Sequence, residues 1–224
     1  MEQYFEVLLA SRLFAGVSRE ELEAMLVCLG ARTAHYARGG EILRTGEQIR
    51  CLGLVLSGTV HVLREDFWGN RNILTAAGPG EVFGESYACL PEETTPIRAS
   101  AAEPAEVLLL EVRRVLTTCP SACAFHARVI RNLLEVLAVK NLAMNEKLIH
   151  LTQRTTRDKL LSYLSACSVR VGSPEFEIPY NRQQLADYLS VDRSAMSAEL
   201  SRLRAQGILE CHKNRFRLLR RPET

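Results

Sequence analysis

Nowhere in the 224 residues does an apolar run approach the ~18 that a membrane span requires. Residues 1–11 lack the basic start of a secretory leader. Aromatic residues are only 6% of the chain, with a single tryptophan. Neither sign of charge dominates, since the formal net charge is +2. The seven cysteines, at 28, 51, 89, 119, 123, 167 and 211, are odd in number and fit no metal or disulfide framework. A chain this long buries a core without staples, so reduced thiols in a cytoplasmic protein are expected. With 47% apolar and 24% charged residues, disorder and low complexity are excluded too.

The near-neutral total hides an asymmetry. Residues 1–151 hold 15 Lys/Arg against 18 Asp/Glu, whereas residues 152–224 hold 13 against 8. A net of −3 in front and +5 behind places any contact with an anionic polymer in the last third.

Residues 4–30 read as helical, with Leu8, Leu9 and Leu13 on one stripe. Ser18-Arg19-Glu20-Glu21 is a capping box that opens a helix carrying Leu22, Met25, Leu26 and Leu29. From residue 33 to 112 the texture changes to short β-rich runs at 52–56, 59–63, 72–75 and 107–110. Glycines at 39, 40, 46, 58, 69, 78, 80 and 84 punctuate them, which predicts an antiparallel barrel or roll.

A long helix is expected over about 121–151. Ile130, Leu134, Leu137, Asn141, Met144, Leu148 and Leu151 follow a 4-3 spacing, a heptad seam with one polar interruption. Phe125, Val129, Leu133, Val136 and Ala143 form a second stripe. One face therefore suits the roll and the other a second copy of the chain, with Asn141 pairing with its twin to fix the register. The alternative is one wide face buried within a monomer. Residues 152–156 are polar and mark a boundary, and 157–166 read as helix again.

Residues 179–219 are the most specific stretch. Asn181-Arg182-Gln183-Gln184 resembles a capping box, followed by a short helix burying Leu185, Ala186 and Leu189. Ser190-Val191-Asp192 makes a tight turn, with Asp192 placed to cap the next helix. That helix buries Met196, Leu200 and Leu203 and stops at Gly207. Its outer face presents Arg193, Ser194, Ser197, Ala198 and Ser201. Residues 208–219 alternate around Lys213-Asn214 as a basic hairpin. Helix, turn, helix and hairpin make a winged helix-turn-helix. Small outward residues admit a helix to the major groove, and Arg193 can fork onto guanine. Lys213, Arg215 and Arg217 can meet phosphates; a protein-binding winged helix is the alternative.

Over almost its full length the chain resembles the cyclic-AMP receptor and fumarate–nitrate regulator superfamily of bacterial transcription factors. The resemblance rests on Leu13-Phe14-x-Gly16-Val17-Ser18, on Gly80-Glu81-Val82-Phe83-Gly84-Glu85, on Ile97-Arg98-Ala99, and on the long helix and winged tail. It implies an α+β chain with three parts: a β-roll sensing an effector (1–118), a dimerisation helix (119–151) and a DNA-binding winged helix-turn-helix (152–224). It further implies a homodimer on palindromic double-stranded operators, working with RNA polymerase in the cytoplasm, away from membranes. The effector pocket would draw on Gly84, Glu85, Ser86, Thr94, Thr95 and Asn141.

The family's cyclic-nucleotide pocket places an Arg-Ser pair about ten residues after Gly-Glu, where this chain has Glu92-Glu93-Thr94-Thr95-Pro96. Carboxylates repel a phosphate, and the family's adenine-reading Thr-Ser falls near Leu142-Ala143, so cyclic AMP is not expected. Cys28 and Cys51 are too few and too far apart for the oxygen-sensing branch's iron–sulfur cluster. Haem through Cys51 and His61, or a redox switch at Cys119 and Cys123, remains an alternative on the same scaffold. A small organic effector, such as an aromatic acid, is the leading expectation. A cupin-like roll enzyme is disfavoured, because His35 and His61 form no His-x-His. Where the family often carries a second arginine on the recognition helix, this chain has Ala198.

Overall fold

The computed structural model describes residues 2–65, 71–117 and 124–219. The helical opening comes in pieces. Helix α1 (Phe5–Ala10) ends where the Ser11 hydroxyl donates to the Leu8 carbonyl, and a 3-10 turn follows at Arg12–Phe14. Gly16, at φ 73°, then redirects the chain. The expected capping box starts α2 (Arg19–Cys28): the Glu21 amide donates to the Ser18 hydroxyl, and the Ser18 amide to the Glu21 carboxylate.

Among the described residues eight strands build the roll: β1 (Arg32–Tyr36), β2 (Glu41–Leu43), β3 (Cys51–Ser57), β4 (Val60–Glu65), β5 (Arg71–Ala77), β6 (Val82–Phe83), β7 (Arg98–Ala101) and β8 (Ala105–Glu111). They pair antiparallel in two four-stranded sheets, β1-β8-β3-β6 and β2-β7-β4-β5. The four runs expected from sequence are β3, β4, β5 and β8. Leu52, Leu54, Leu56, Val107, Leu108 and Leu110 fill the core from paired strands β3 and β8. Gly53 pairs with Phe83, and a Cβ at 53 would strike the Phe83 ring, so this strand position requires glycine. Short helices α3 (Glu85–Ala88) and α4 (Val112–Leu116) flank β7 and β8.

Helix α5 (Ala124–Leu151) buries Val129, Leu133 and Val136 of the second stripe in the roll's core; Ala143 of that stripe is exposed, and the Phe125 side chain lies outside what is described. Asn132 donates to the Leu13 and Ala15 carbonyls, both at 3.0 Å, and Arg128 reaches the Gly16 carbonyl and Glu21. The chain forms two compact units, Met1–Lys140 and Asn141–Thr224, so the division lies inside α5 rather than at 152–156.

The second unit continues with α6 (Thr156–Val171), β9 (Glu175–Glu177), α7 (Arg182–Leu189), α8 (Arg193–Ala205), β10 (Leu209–His212) and β11 (Arg215–Leu218). Helix α6 outruns the expected 157–166 by more than a turn and stops at Gly172, whose φ of 70° a side chain would strain. Strand β9 adds a third strand to the hairpin, in the order β10-β11-β9, with Phe176 stacked on Phe216. Leu160, Leu164, Leu185, Ala186, Leu189, Met196, Leu200 and Leu203 form the core beneath.

Candidate nucleic-acid interface and effector site

The helix-turn-helix is built by its caps. The Asn181 side chain accepts from the Gln184 amide, and Gln184 returns the bond, each at 2.9 Å. Ala186 is fully buried, which lets α8 cross closely. Ser190 takes the left-handed conformation (φ 50°) that ends α7, and Asp192 then accepts from the Ala195 amide at 2.8 Å. The Ser194 hydroxyl above all, and then that amide, hold the Asp192 carboxyl below its usual pKa.

Arg193, Ser194, Ser197, Ala198 and Ser201 are all exposed, as the sequence predicts for the outer face of α8. Ser194 donates to Asp192, Ser197 to the Arg193 carbonyl and Ser201 to the Ser197 carbonyl. Their protons are engaged, so they offer lone pairs outward, acceptors for the amino groups of adenine or cytosine. Among the described residues, the Arg193 guanidinium has no carboxylate partner.

The wing differs from the expectation of three free cations. Lys213 sits at the hairpin turn with φ 53° and has no carboxylate partner among the described residues. Arg215, by contrast, lies 3.4 Å from Glu177, and Arg217 lies 3.1 Å from Glu175 and 3.8 Å from Glu210. Strand β9, one of the strands that the sequence does not signal, supplies two of these three carboxylates. These pairs are solvent-exposed and weak, but they offset part of the wing's positive charge.

The expected effector residues are only partly gathered. Gly84, with φ 74°, turns the chain into α3, and a Cβ there would lie 2.9 Å from Leu43. Glu85 is buried; Ser86 is exposed. Thr95 is buried too, yet its hydroxyl accepts the Ile97 amide and its backbone bonds to Gly46 and Glu47, so it holds its own loop. Thr94 is exposed and bridges to Gln48. Asn141 lies in the other compact unit, exposed, with its carbonyl accepting from Asn145. A groove of about 690 Å³ lined by Val7, Ala10, Ala77, Val82, Val136 and Lys140 contains none of Gly84, Glu85, Ser86, Thr94 or Thr95.

Lys140 is the residue that sequence reading missed. Its ammonium donates to Glu85 Oε1 at 2.8 Å and to the Val82 carbonyl at 2.6 Å. Its spacing of four from Val136 was the available signal, since i and i+4 share a helix face.

Of the seam, Leu134, Met144 and Leu148 are exposed by 61%, 65% and 50% respectively, while Ile130, Leu137 and Leu151 are half-buried. Cys51 and His61 lie on strands of different sheets, β3 and β4, as do His35 and His61, on β1 and β4. Cys119 and Cys123 lie outside the described residues. Among the described residues no cluster of three or more His, Cys, Asp or Glu could hold a metal, and no helix is long and apolar enough to cross a membrane.

Residues 33–120 match the family model of the cyclic nucleotide-binding domain, and residues 127–223 match that of the Crp-like helix-turn-helix domain. The chain belongs to the cyclic-AMP receptor and fumarate–nitrate regulator superfamily. It is 36% identical to the cyclic AMP receptor protein of Thermus thermophilus over 100 residues, 45% of each chain, so the match spans less than half of that relative. It is 26% identical to the nitrogen fixation regulation protein FixK of Azorhizobium caulinodans, covering 94% of this chain and 85% of that one. The crystal structure of the Thermus thermophilus catabolite activator protein superposes with a TM-score of 0.53 at 26% identity, over 93% of each chain. These relatives are transcription regulators, not enzymes, and the chain is a DNA-binding regulator of the same family with an effector-binding domain.

Proposed function

We propose that this regulator binds two-fold symmetric operators as a homodimer, with α8 in the major groove and α5 as the seam. The observation that carries the reading is the capped, exposed face of α8: Arg193 free at its first turn, small residues behind it, and Lys213 at the tip of the wing. A long donor at the tip and small side chains along the face are what close approach to base edges demands. The dimer follows from α5. Its heptad spacing puts Leu134, Asn141 and Leu148 at a and Ile130, Leu137, Met144 and Leu151 at d. A lone Asn at an a position favours parallel two-stranded pairing in fixed register. A second copy is the occupant that matches this face, because only an identical helix repeats the same register. Contact with RNA polymerase and a location in the cytoplasm follow from this function.

The effector is a small organic molecule and not cyclic AMP, although the Thermus relative is named for that nucleotide. Position 95 holds a threonine turned into its own loop, and Glu92 and Glu93 stand exposed beside it. No arginine is there to neutralise a cyclic phosphate. Selection of duplexes from a random pool by the full chain, followed by titration of the selected site across salt concentrations, tests the DNA function. Recovery of no sequence above background would overturn it. Calorimetry with cyclic AMP should give no heat at micromolar ligand, and micromolar affinity would sink the effector reading.

A further inference from the structure

We propose that Lys140 is a built-in ionic latch that occupies half of the effector carboxylate and ties α5 to the roll. The proposal deepens the effector reading above and rests on the expectation, implied by the family resemblance, that Glu85 lines the effector pocket. Gly84 and the first turn of α3 fix the Glu85 carboxyl in a site where its side chain is only 5% exposed. A carboxylate taken from water in this way is strongly unfavourable unless paired and hydrogen-bonded. The chain provides one partner from α5. Lys140 uses two of its three protons, one on Glu85 Oε1 at the start of α3 and one on the carbonyl of Val82 in β6.

The other oxygen, Oε2, is buried and has no hydrogen-bond partner among the described residues. The site is therefore half satisfied: the protein's own cation neutralises one oxygen, and a buried acceptor stands open beside it. A ligand hydroxyl or amine is the chemistry that oxygen accepts. Such a donor draws on the same negative charge that holds Lys140, so its arrival loosens the ammonium.

Position matters as much as chemistry. Val129, Leu133 and Val136 fasten the upper part of α5 by apolar burial, and Leu137 is only partly covered. Lys140 is one turn beyond Val136 and is the last residue of the first compact unit; from Asn141 the helix belongs to the second. The latch thus sits where the helix leaves the roll, and its making or breaking changes how far along α5 the sensor's hold extends.

Hydrogen exchange of the full chain, read on α5 peptides covering 134–145, tests this. Lys140→Met keeps the unbranched stem and removes the charge. Glu85→Leu removes the carboxylate. Each should speed exchange roughly tenfold, less than a fully buried pair would because Lys140 is partly solvated. The double variant should be no faster than either single, and Lys140→Arg should restore slow exchange. If Glu85→Leu does not fold, the contrast between Lys140→Met and Lys140→Arg still decides. Unchanged exchange in Lys140→Met, equal exchange in Met and Arg variants, or multiplying effects in the double would each overturn the latch. Calorimetry of the unmodified chain with cyclic AMP is run in parallel. Micromolar affinity there refutes the effector reading while leaving the latch to be judged on exchange alone.

Discussion

Arg193 and Lys213 are both exposed cations of the winged domain, yet they should carry different information. Arg193 sits in the first turn of α8, beside the capping Asp192, whose carboxyl is held below its usual pKa by the Ser194 hydroxyl and the Ala195 amide. A guanidinium forking onto one guanine contributes ~1–3 kcal/mol of discrimination, whereas a phosphate contact contributes none. Arg193→Ala should therefore weaken the selected site and flatten preference at one G·C pair per half-site. Lys213→Ala should weaken all sequences alike and lower the salt slope by about one unit. Arg215→Ala should lower it by less, because Glu177 already stands 3.4 Å from that guanidinium. Anisotropy titrations on selected and random duplexes at several salt concentrations separate the three. Equal losses on both duplexes for Arg193→Ala would make it a phosphate anchor. With Ala198 exposed where the family often has a second arginine, the base contact expected there is either absent or an apolar contact with a thymine methyl.

At the scale of the element, α5 divides its labour by face and by height. Its roll face is buried, while Leu134, Met144 and Leu148 remain bare on the other. Leu137→Glu with Met144→Glu should give monomers in sedimentation and abolish operator binding; a double variant that still dimerises would move the seam elsewhere. Asn141→Leu should hold or raise dimer stability, since a polar residue at an a position lowers stability in return for register. The lower end of α5 is fixed differently. His150 is 2% exposed, 2.8 Å from the Ser162 hydroxyl and edge-on to Tyr163, and Arg170 clasps Glu146. Burial above all pushes the His150 pKa down, with Arg170 adding to it and Glu146 opposing. The unfolded chain therefore takes the proton first, and stability falls as pH drops below about 6.5 toward the folded value. Thermal midpoints should decline from pH ~7.5 to ~5.5, and His150→Gln should remove much of that decline; an identical decline in the variant would acquit His150. The caps at Ser18, Asn181 and Asp192 were legible because each is completed within three residues. Strands β2, β6 and β9 were not, because two or three residues carry no period and form only when a distant strand arrives.

For the whole molecule, the DNA-binding site was the legible part because one contiguous segment, 179–219, folds into it. The proposed effector site was not, since the Lys140–Glu85 contact proposed there joins residues 55 apart in sequence, and the Thr95 hydroxyl is spent on its own loop. The asymmetry of charge has a consequence at this scale. The second unit, 141–224, carries a net +5 and is drawn to DNA, while the first, 1–140, at net −3, is repelled by it, so the winged domain is the part that approaches the duplex. In the proposed homodimer, two such domains joined by a parallel seam would present two α8 helices related by a two-fold axis. Helices of this kind enter successive major grooves on one side of B-DNA, ~34–36 Å or about 10 bp apart. Selected sites should accordingly be inverted repeats whose half-site centres lie one helical turn, or a whole multiple, apart. Inserting about five base pairs between the halves turns one groove to the opposite side. Affinity should then fall to that of a single half-site, and a further five should restore part of it if the multiple-turn spacing is reachable. Binding indifferent to the insertion, with one chain per duplex by native mass spectrometry, would show that this regulator reads DNA as a monomer.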